Sequence, residues 1–171
     1  NMNAHPHQDM KQQIAIVHNG IIDNYEELKE IKNTDRLNFV DFDQSNLNEV
    51  EDFSKQNFDF DVILDDGSHK MQDQQITFAK LFKSLKSGGI YIIEDLHTSL
   101  EVVLPEKRIF GWGDPEKTIT LEMLKKYNET KKIYSDYMTY DEMEYLNQNI
   151  EKIEIYQSRP EWSITGIILK K

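Results

Sequence analysis

No cysteine occurs in the sequence, and basic residues are few relative to acidic ones. The absence of cysteine excludes disulfides, thiolate metal ligands and a cysteine nucleophile, and it fits a reducing compartment. The 20 Lys and Arg residues stand against 31 Asp and Glu, which gives a formal charge of −11 at pH 7. A nucleic-acid binder needs a basic face, and no dense run of Lys and Arg is present. We therefore expect no nucleic-acid partner.

Long apolar runs are missing as well. No stretch approaches the ~20 residues of a membrane span, and the start of the sequence lacks a signal-peptide pattern. We therefore expect no membrane partner and a cytoplasmic location. Hydrophobic residues make up 38% of the 171 residues and charged residues 30%, a balance that predicts one domain with a packed core.

Strand and helix patterns alternate through the first hundred residues. Apolar runs predict strands, and apolar residues at helical spacing predict helices. The predicted strands are 14–17, 37–42, 60–64 and 90–93, and the predicted helices are 24–31, 47–53 and one that follows His69 and ends at Gly88-Gly89. This order predicts an α/β fold with a Rossmann-like, doubly wound and mostly parallel sheet.

The two ends of the chain have different patterns. Residues 1–13 are polar and are expected to form an irregular lead-in, and 105–118 are rich in Gly and Pro, which predicts a long loop. Residues 121–134 and 141–149 read as helices, the second capped by Thr139 or Asp141. Residues 153–156 and 163–169 are expected to close the chain as antiparallel strands.

Two acidic clusters carry most of the functional information. Each closes a predicted buried strand: residues 60–69 read Phe-Asp-Val-Ile-Leu-Asp-Asp-Gly-Ser-His, and residues 88–97 read Gly-Gly-Ile-Tyr-Ile-Ile-Glu-Asp-Leu-His. The carboxyl ends of neighbouring parallel strands meet where ligands bind. Carboxylates at such short distances repel one another unless a cation or a proton lies between them. A simpler interpretation also stands, in which Asp65-Asp66-Gly67 is a turn and Asp66 or Ser68 caps the next helix.

These segments resemble a known family. Residues 61–69, the Gln-Gln-Ile-Thr-Phe of 74–78 and residues 81–99 are similar to the class I S-adenosylmethionine-dependent O-methyltransferases, in particular the metal-dependent enzymes that methylate sugars of macrolides and glycans. The Phe-Asp-Gln-Ser of 42–45 fits the ending of that family's third strand. The resemblance covers about residues 35–171 and implies the methyltransferase type of α/β fold, with its N-terminal strands truncated or replaced.

A second resemblance covers the N-terminal segment. Residues 3–7 and 14–29 look like the glutaminase domain of glucosamine-6-phosphate synthase, in which the pair that matches Asn19-Gly20 helps form the oxyanion hole. Glutamine hydrolysis is not expected, because the chain has no Cys nucleophile. Methyltransferases bind their cofactor with a Gly-rich loop after the first strand and an acidic residue ending the second, and neither motif is present. The sequence thus predicts a chimera or a truncated methyltransferase, with segments 1–32 and 33–171 in one folded unit.

The methyltransferase resemblance implies a divalent metal site and a base. Asp66, Glu94 and Asp95 would hold the ion, and His69 would be the general base. The chemistry agrees, because carboxylate oxygens suit hard ions such as Mg²⁺, and a His with a pKa near ~6.5 is suited to proton abstraction at neutral pH. His97 is either a substrate contact or a structural histidine.

The resemblance also implies roles around the cofactor S-adenosylmethionine. Asp43 would contact its adenine end, Gln44 and Asp65 would line the pocket, and Asn19-Gly20 would stand in for the missing Gly-rich loop. Trp112 is either a sugar-stacking platform or an aromatic anchor for its loop.

The expected activity is metal-assisted O-methylation of a sugar or glycan hydroxyl. The alternative is a catalytically silent remnant that has lost cofactor binding and acts through protein interactions. A sheet edge left where strands are missing is also suited to pairing with a second copy, so a homo-oligomer is one expectation.

Overall fold

A computed structural model describes residues 4–9, 14–19, 37–39, 42–56, 58–104, 107–110, 114, 116–158 and 163–171. The strands are β1 (Ala4–Asp9), β2 (Ile14–Asn19), β3 (Leu37–Phe39), β4 (Phe60–Asp66), β5 (Leu85–Ile93), β6 (Glu101–Leu104), β7 (Lys107–Phe110), β8 (Ile150–Gln157) and β9 (Ile164–Lys170). The α-helices are α1 (Leu47–Ser54), α2 (Met71–Leu81), α3 (Thr120–Thr130) and α4 (Tyr140–Asn149), and short 3₁₀ helices cover Phe82–Ser84 and Leu96–Ser99.

Seven of these strands form one sheet in the order β3-β1-β2-β4-β5-β9-β8, and β6 pairs with β7 in a separate hairpin. The pairings of β2 with β4 and of β4 with β5 are parallel. The outer pairings are antiparallel. The α/β class is confirmed, but the expectation of a mostly parallel sheet was wrong: among the described strands, two of the six pairings in this sheet are parallel, and they form the centre of a mixed sheet.

The N-terminal segment is part of this sheet. β2 pairs in parallel with β4 from Ile14↔Val62 to His18↔Asp66, so it occupies the strand position beside the first acidic cluster. The prediction of an irregular lead-in over 1–13 was wrong for Ala4–Asp9, because β1 pairs with both β2 and β3. Strand formation depends on pairing partners more than on composition, and here β2 is a nearby partner while β3 lies further along the chain.

The core lies around β4 and β5. Phe60 and Ile63 on β4 and Tyr91 and Ile93 on β5 are fully buried. The Phe78 ring of α2 packs edge-on against Tyr91, with ring centroids 5.1 Å apart. Packing of this kind contributes about 0.5–1.5 kcal/mol per aromatic pair beyond the area buried. The two strands that end in the acidic clusters are therefore held by the best-packed part of the molecule.

The end of α2 differs from the sequence prediction. The predicted helix reached Gly88-Gly89, but α2 ends at Leu81 and both glycines lie inside β5. The buried Lys170 Nζ donates to the carbonyls of Phe82, Lys83 and Leu85 and so satisfies the end of the helix. The glycines lie in an irregular part of β5, which advances from Leu85 to Ile90 while β4 advances from Phe60 to Val62. Gly88 has a φ of 78°, which favours glycine.

The C-terminal predictions are largely confirmed. β8 and β9 are antiparallel neighbours, and α4 begins with a capping box in which Thr139 and Glu142 each bond the other's backbone N–H. The helix predicted over 121–134 ends at Thr130, with Lys131 in the left-handed conformation at its end. The long loop predicted over 105–118 was wrong for Lys107–Phe110, which pairs with β6.

Several predictions fall on residues outside the description. These are the helix over 24–31, Gly20, Trp112 and the part of the strand over 37–42 that includes residues 40 and 41. Within the residues that the structure describes, no helix has the length and apolar character needed to cross a membrane.

One ion pair joins α2 to the start of α4. Lys80 Nζ lies 2.9 Å from Glu142 Oε1, and the Glu142 side chain is nearly buried. Burial raises the pKa of the Glu142 carboxyl, but the hydrogen bonds that it accepts from Thr139 and Lys80 lower it by more, so its pKa is below the usual value. A lowered pKa means that the pair stabilises the fold above the unfolded-state pKa and that this is lost as the pH falls through the folded-state pKa.

We predict that Lys80→Met lowers the free energy of unfolding by about 1–3 kcal/mol at pH 7, since it removes a charged hydrogen-bond partner from a buried carboxylate. The difference from wild type should shrink below about pH 4, where Glu142 is protonated in the unfolded chain. Urea unfolding at several pH values measures both effects. The control is Lys125→Met, which breaks an equally short pair with Glu122 (2.9 Å) whose side chains are half exposed. It should cost less than about 0.5 kcal/mol, and equal losses in the two variants would contradict the prediction.

Candidate metal centre

The two acidic clusters lie at the same edge of the sheet. β4 and β5 run parallel with Asp65 opposite Ile93, and the Glu94 N–H donates to the Asp65 carbonyl at 3.0 Å. Both strands therefore end together, and the residues that follow them enter neighbouring loops. The sequence-based expectation that these clusters meet at one edge agrees with this register.

Three of the predicted side chains come close together. His69 Nε2 lies 3.8 Å from Asp66 Oδ1 and 3.7 Å from Asp95 Oδ2. One potential ligand atom from each of Asp66, His69 and Asp95 lies within 4.8 Å of the others. His97 is adjacent, with its Nδ1 3.7 Å from Asp95 Oδ1. All four side chains are partly buried, so they remain reachable from solvent.

Two of these residues have an unusual backbone. His69 has a φ of 57° and Asp95 a φ of 52°, in the left-handed region that side chains other than glycine avoid. Among the described residues, the third non-glycine case is Lys131, which follows a helix, where this conformation is common. Such a backbone costs of order 1–3 kcal/mol per residue and clusters at functional sites. No sequence pattern predicts it.

Glu94 lies outside this close group but is affected by its charge. Burial raises the pKa of the Glu94 carboxyl, and the charges of Asp66 and Asp95 raise it further. The predicted set of Asp66, Glu94 and Asp95 is therefore one negatively charged region, with His69 nearest to two of its members. A divalent cation would relieve this repulsion.

The residues present fit a hard divalent cation. The donor set offers carboxylate oxygens, which Mg²⁺ prefers. The two distances from His69 exceed hydrogen-bond length, and its buried Nδ1 has no hydrogen-bond partner among the residues that the structure describes. Strained backbone, crowded carboxylates and an unpartnered imidazole nitrogen are thus found together in one small region.

Asp65 and Gln44, which the sequence assigned to the cofactor, point into the protein. Their exposed fractions are 1% and 2%. Asp65 accepts hydrogen bonds from Gln44 Nε2 (3.0 Å), Tyr91 OH (3.1 Å) and the Gly67 N–H (3.3 Å). Burial raises the pKa of Asp65 to about 7, although these hydrogen bonds oppose the rise.

Gln44 also holds the loop that leads to His69. Its Oε1 accepts the Ser68 N–H at 2.6 Å, and its Nε2 donates to Thr77 Oγ1 on α2 at 3.0 Å. A Cβ built on Gly67 would lie 1.9 Å from Gln44 Oε1, so a larger residue there would displace the Gln44 amide from its hydrogen bonds. The Gln44 amide therefore fixes the path of the chain between β4 and α2.

The other predicted positions differ in their surroundings. Asp43 is exposed, and its carboxylate accepts hydrogen bonds from the N–H and hydroxyl of Ser45, which hold its pKa below the usual value. Asn19 is the last residue of β2, next to the strand that carries Asp66. Gly20 and Trp112 lie outside the described residues.

The helix-cap interpretation of the first cluster is not supported. Lys70 is the N-cap residue of α2, and no side chain caps it. The Ser68 hydroxyl instead donates to Asp73 Oδ2 at 2.5 Å. The side chain of Asp66 lies with His69 and Asp95, as described above.

Sequence analysis missed two polar residues that support the loops. The Gln74 amide of α2 donates to the Glu94 carbonyl at 3.0 Å, and the Thr98 hydroxyl lies between the carbonyls of His69 (2.9 Å) and Asp95 (2.8 Å). Both residues lie in segments that resemble the methyltransferases. Their roles were not predicted, because hydrophobic periodicity does not indicate which side chains bond distant backbone carbonyls.

Comparison with known proteins finds similarity to O-methyltransferases over part of the chain. No family model matches the chain. The chain is 35% identical over 65 residues to the 8-demethyl-8-(2-methoxy-alpha-L-rhamnosyl)-tetracenomycin-C 3'-O-methyltransferase of Streptomyces olivaceus, which is 38% of this chain and 17% of that protein. It is 33% identical over 64 residues to the mycinamicin VI 2''-O-methyltransferase of Micromonospora griseorubida, or 37% of this chain and 16% of that enzyme.

A solved structure agrees in fold. The MycE methyltransferase of the mycinamycin biosynthetic pathway, in complex with Mg and SAH, matches 77% of this chain with a TM-score of 0.53 and 26% identity. The match covers 31% of the MycE chain, so this chain spans under a third of that enzyme. The resemblance to metal-dependent sugar O-methyltransferases is confirmed.

The second resemblance is confirmed too. The chain is 69% identical over 29 residues to the glutamine–fructose-6-phosphate aminotransferase (isomerizing) of Thermotoga maritima, which is 17% of this chain and 5% of that enzyme. The corresponding enzyme of Methanocaldococcus jannaschii is 71% identical over 28 residues. The chain thus has one segment similar to O-methyltransferases and another similar to an aminotransferase.

We predict that Gly67→Ala lowers the free energy of unfolding by about 1–3 kcal/mol, since the new methyl group overlaps the buried Gln44 amide. The control is the same substitution in a Gln44→Ala background, where the space is vacated and the added cost should be small. Urea unfolding of the two single variants and the double variant gives the coupling between the residues. Strictly additive losses would contradict the contact described here.

Proposed function

We propose that this chain carries the catalytic part of an S-adenosylmethionine-dependent, metal-assisted O-methyltransferase that acts on a sugar or glycan hydroxyl. The observation that supports it best is the approach of Asp66, His69 and Asp95 at the carboxyl ends of β4 and β5. The similar proteins named above are O-methyltransferases of glycosylated natural products, and one was solved with Mg and SAH.

Asp66 and Asp95 would hold a divalent ion such as Mg²⁺, with Glu94 completing the acidic set. When bound, the ion would make a nearby substrate hydroxyl more acidic. Burial first, and then the charges of Asp66 and Asp95, raise the pKa of Glu94, and a bound cation would offset the repulsion between these carboxylates.

His69 would act as the general base. Its Nε2 faces the carboxylates of Asp66 and Asp95, so a substrate hydroxyl held at the metal would lie within reach of this nitrogen, which would take the hydroxyl proton. In the transfer, a bond forms between the hydroxyl oxygen and the methyl carbon. The bond from that carbon to sulfur breaks, and its electron pair stays on sulfur. Proton abstraction of this kind contributes about 10²–10⁴-fold to a rate.

The cofactor would supply the methyl group from a pocket between β2 and the loop after β3. β2 lies beside β4, where its last residue, Asn19, is near the level of Asp66. The exposed, ionised Asp43 would contact the adenine end, and Gly20 would follow Asn19 in the replacement loop. Since Gln44 and Asp65 are buried and bonded to one another, we propose that they shape this pocket by supporting the loop over 66–69.

The acceptor would be a small sugar or glycan. His97 adjoins Asp95 and is partly exposed, so it is suited to contact a hydroxyl next to the one that reacts. Trp112 keeps its proposed role as a stacking surface for the sugar ring.

A second proposal is a catalytically silent remnant that keeps the acidic site without the cofactor. The observation that favours it is that the sequence lacks the Gly-rich cofactor loop of methyltransferases and has instead a segment similar to an aminotransferase. Such a chain would act through protein partners. Metal binding and cofactor binding separate the two proposals.

For the metal, we predict that Mn²⁺, used as a paramagnetic substitute for Mg²⁺, binds the wild-type chain at one site and that Asp66→Asn or Asp95→Asn weakens it at least tenfold. The reason is the loss of one charged oxygen donor from the set. Electron paramagnetic resonance of free Mn²⁺ measures the affinity. Asp61→Asn is the control, since this carboxylate pairs with Lys86 at 2.9 Å, away from the site. Equal affinity in all four proteins would remove the metal centre from the proposal.

For the activity, we predict that S-adenosylmethionine binds in the micromolar range in calorimetric titrations with Mg²⁺, and that a sugar acceptor is then methylated. His69→Ala should lower the methylation rate by about 10²–10⁴-fold while cofactor binding remains, because the base acts only in the chemical step. Methyl transfer to acceptor, followed with a labelled methyl group, is the measurement.

Each outcome of these titrations favours one of the two proposals. No cofactor binding at millimolar concentration, together with retained Mn²⁺ binding, would favour the silent remnant. An unchanged methylation rate in His69→Ala would exclude His69 as the base.

A further inference from the structure

We infer that Thr98 is a positioning residue, whose single hydroxyl holds His69 and Asp95 at the distance that the proposed metal and base chemistry needs. Its Oγ1 lies 2.9 Å from the His69 carbonyl oxygen and 2.8 Å from that of Asp95. The inference rests on the proposed function, and it gives a role to a residue that binds neither metal nor substrate.

The hydroxyl joins two loops that are far apart in sequence. His69 belongs to the loop after β4, whereas Asp95 and Thr98 belong to the loop after β5. The Asp95 bond closes a local turn, in which the Thr98 N–H also donates to the Asp95 carbonyl at 3.0 Å. The His69 bond, 29 residues away in sequence, is the one that crosses between the loops. A hydroxyl has one proton, so it is shared between the two carbonyls.

The two acceptors are the carbonyls of the two strained residues. His69 and Asp95 both have a left-handed backbone, with φ values of 57° and 52°. Such conformations persist when surrounding contacts determine them. A donor that bonds both carbonyls supplies such a contact, and it fixes the two residues relative to one another rather than each one separately.

The positions of these two backbone carbonyls also determine where the side chains of His69 and Asp95 lie. His69 Nε2 and Asp95 Oδ2 are 3.7 Å apart, and they project from the same two residues whose carbonyls meet at Thr98. If the hydroxyl is lost, the bond that joins the two loops at His69 is lost with it, and we expect the donor set to widen although other bonds still hold the ends of β4 and β5 together. Supporting residues of this kind change metal affinity by about 10–100-fold.

The chain offers a matched control. Thr130 Oγ1 is also placed between two backbone carbonyls, those of Lys126 (2.8 Å) and Lys132 (3.3 Å), at the end of α3 and away from the site. Thr130→Val thus removes the same kind of bridging hydroxyl. Thr98→Val keeps the shape of the side chain and removes its donor, and Thr98→Ser restores the donor.

The first measurement is Mn²⁺ affinity by electron paramagnetic resonance, with thermal unfolding to check that each variant is folded. We expect Thr98→Val to bind Mn²⁺ at least tenfold more weakly than wild type, and Thr98→Ser and Thr130→Val to stay within twofold of it. A purely structural role would lower the melting temperature of both valine variants without this difference in affinity. Equal affinity in wild type and Thr98→Val would overturn the inference.

The second measurement needs no metal. Backbone carbonyl ¹³C and amide ¹⁵N shifts at residues 69, 70, 95 and 96 report the two strained conformations directly. Thr98→Val should move the shifts on both loops, and Thr98→Ser should leave them near wild type. If wild type binds no Mn²⁺, the proposed function fails, and these shifts alone decide the role of Thr98. Unchanged shifts at residues 69 and 70 in Thr98→Val would overturn the inference.

Discussion

The register of β4 against β5 determines where the side chains of the candidate site lie. Because the strands are parallel and Asp65 stands opposite Ile93, Asp66 and Glu94 leave the sheet side by side. A change of one residue in this register would turn each side chain to the other face of the sheet. The register is secured by burial, since Phe60, Ile63, Tyr91 and Ile93 are all enclosed. The charged edge is therefore supported by the most apolar part of the protein.

A buried polar network connects the packed strands β4 and β5 to the loops that follow them. Asp65 and Tyr91 are bonded across the two strands, and Gln44 connects Asp65 to Ser68 and to Thr77 on α2. A satisfied network of this kind specifies one arrangement, because leaving any of its members unpaired costs about 1–3 kcal/mol. The backbone strain at His69 and Asp95 is held in place by such contacts, so the conformation of the site reflects the whole region around it.

The N-terminal segment shows that pairing in a sheet places few demands on the sequence of a strand. β2 lies beside β4 in parallel register although its sequence is similar to that of an aminotransferase. Backbone hydrogen bonds and a few apolar residues are enough for pairing, whereas cofactor recognition depends on particular side chains and glycines in the loop that follows. The similarity of fold therefore accounts for the position of β2 in the sheet. It does not determine whether the loop after β2 binds the cofactor.

The sequence by itself determined the features that depend on local patterns. The apolar runs at 60–64 and 90–93 became the central strands, the capping box at Thr139 became the start of α4, and the acidic residues after two strands met at one edge. Three features came only from the tertiary structure. β1 forms by pairing with β2 and β3, Lys170 ends the helical segment from 88 residues away, and Gln44 and Thr98 bond loops distant in sequence. The contacts of Lys170, Gln44 and Thr98 join residues far apart along the chain, and β1 is a polar segment that becomes a strand only through its partners. Periodicity and turn chemistry encode neither kind of contact.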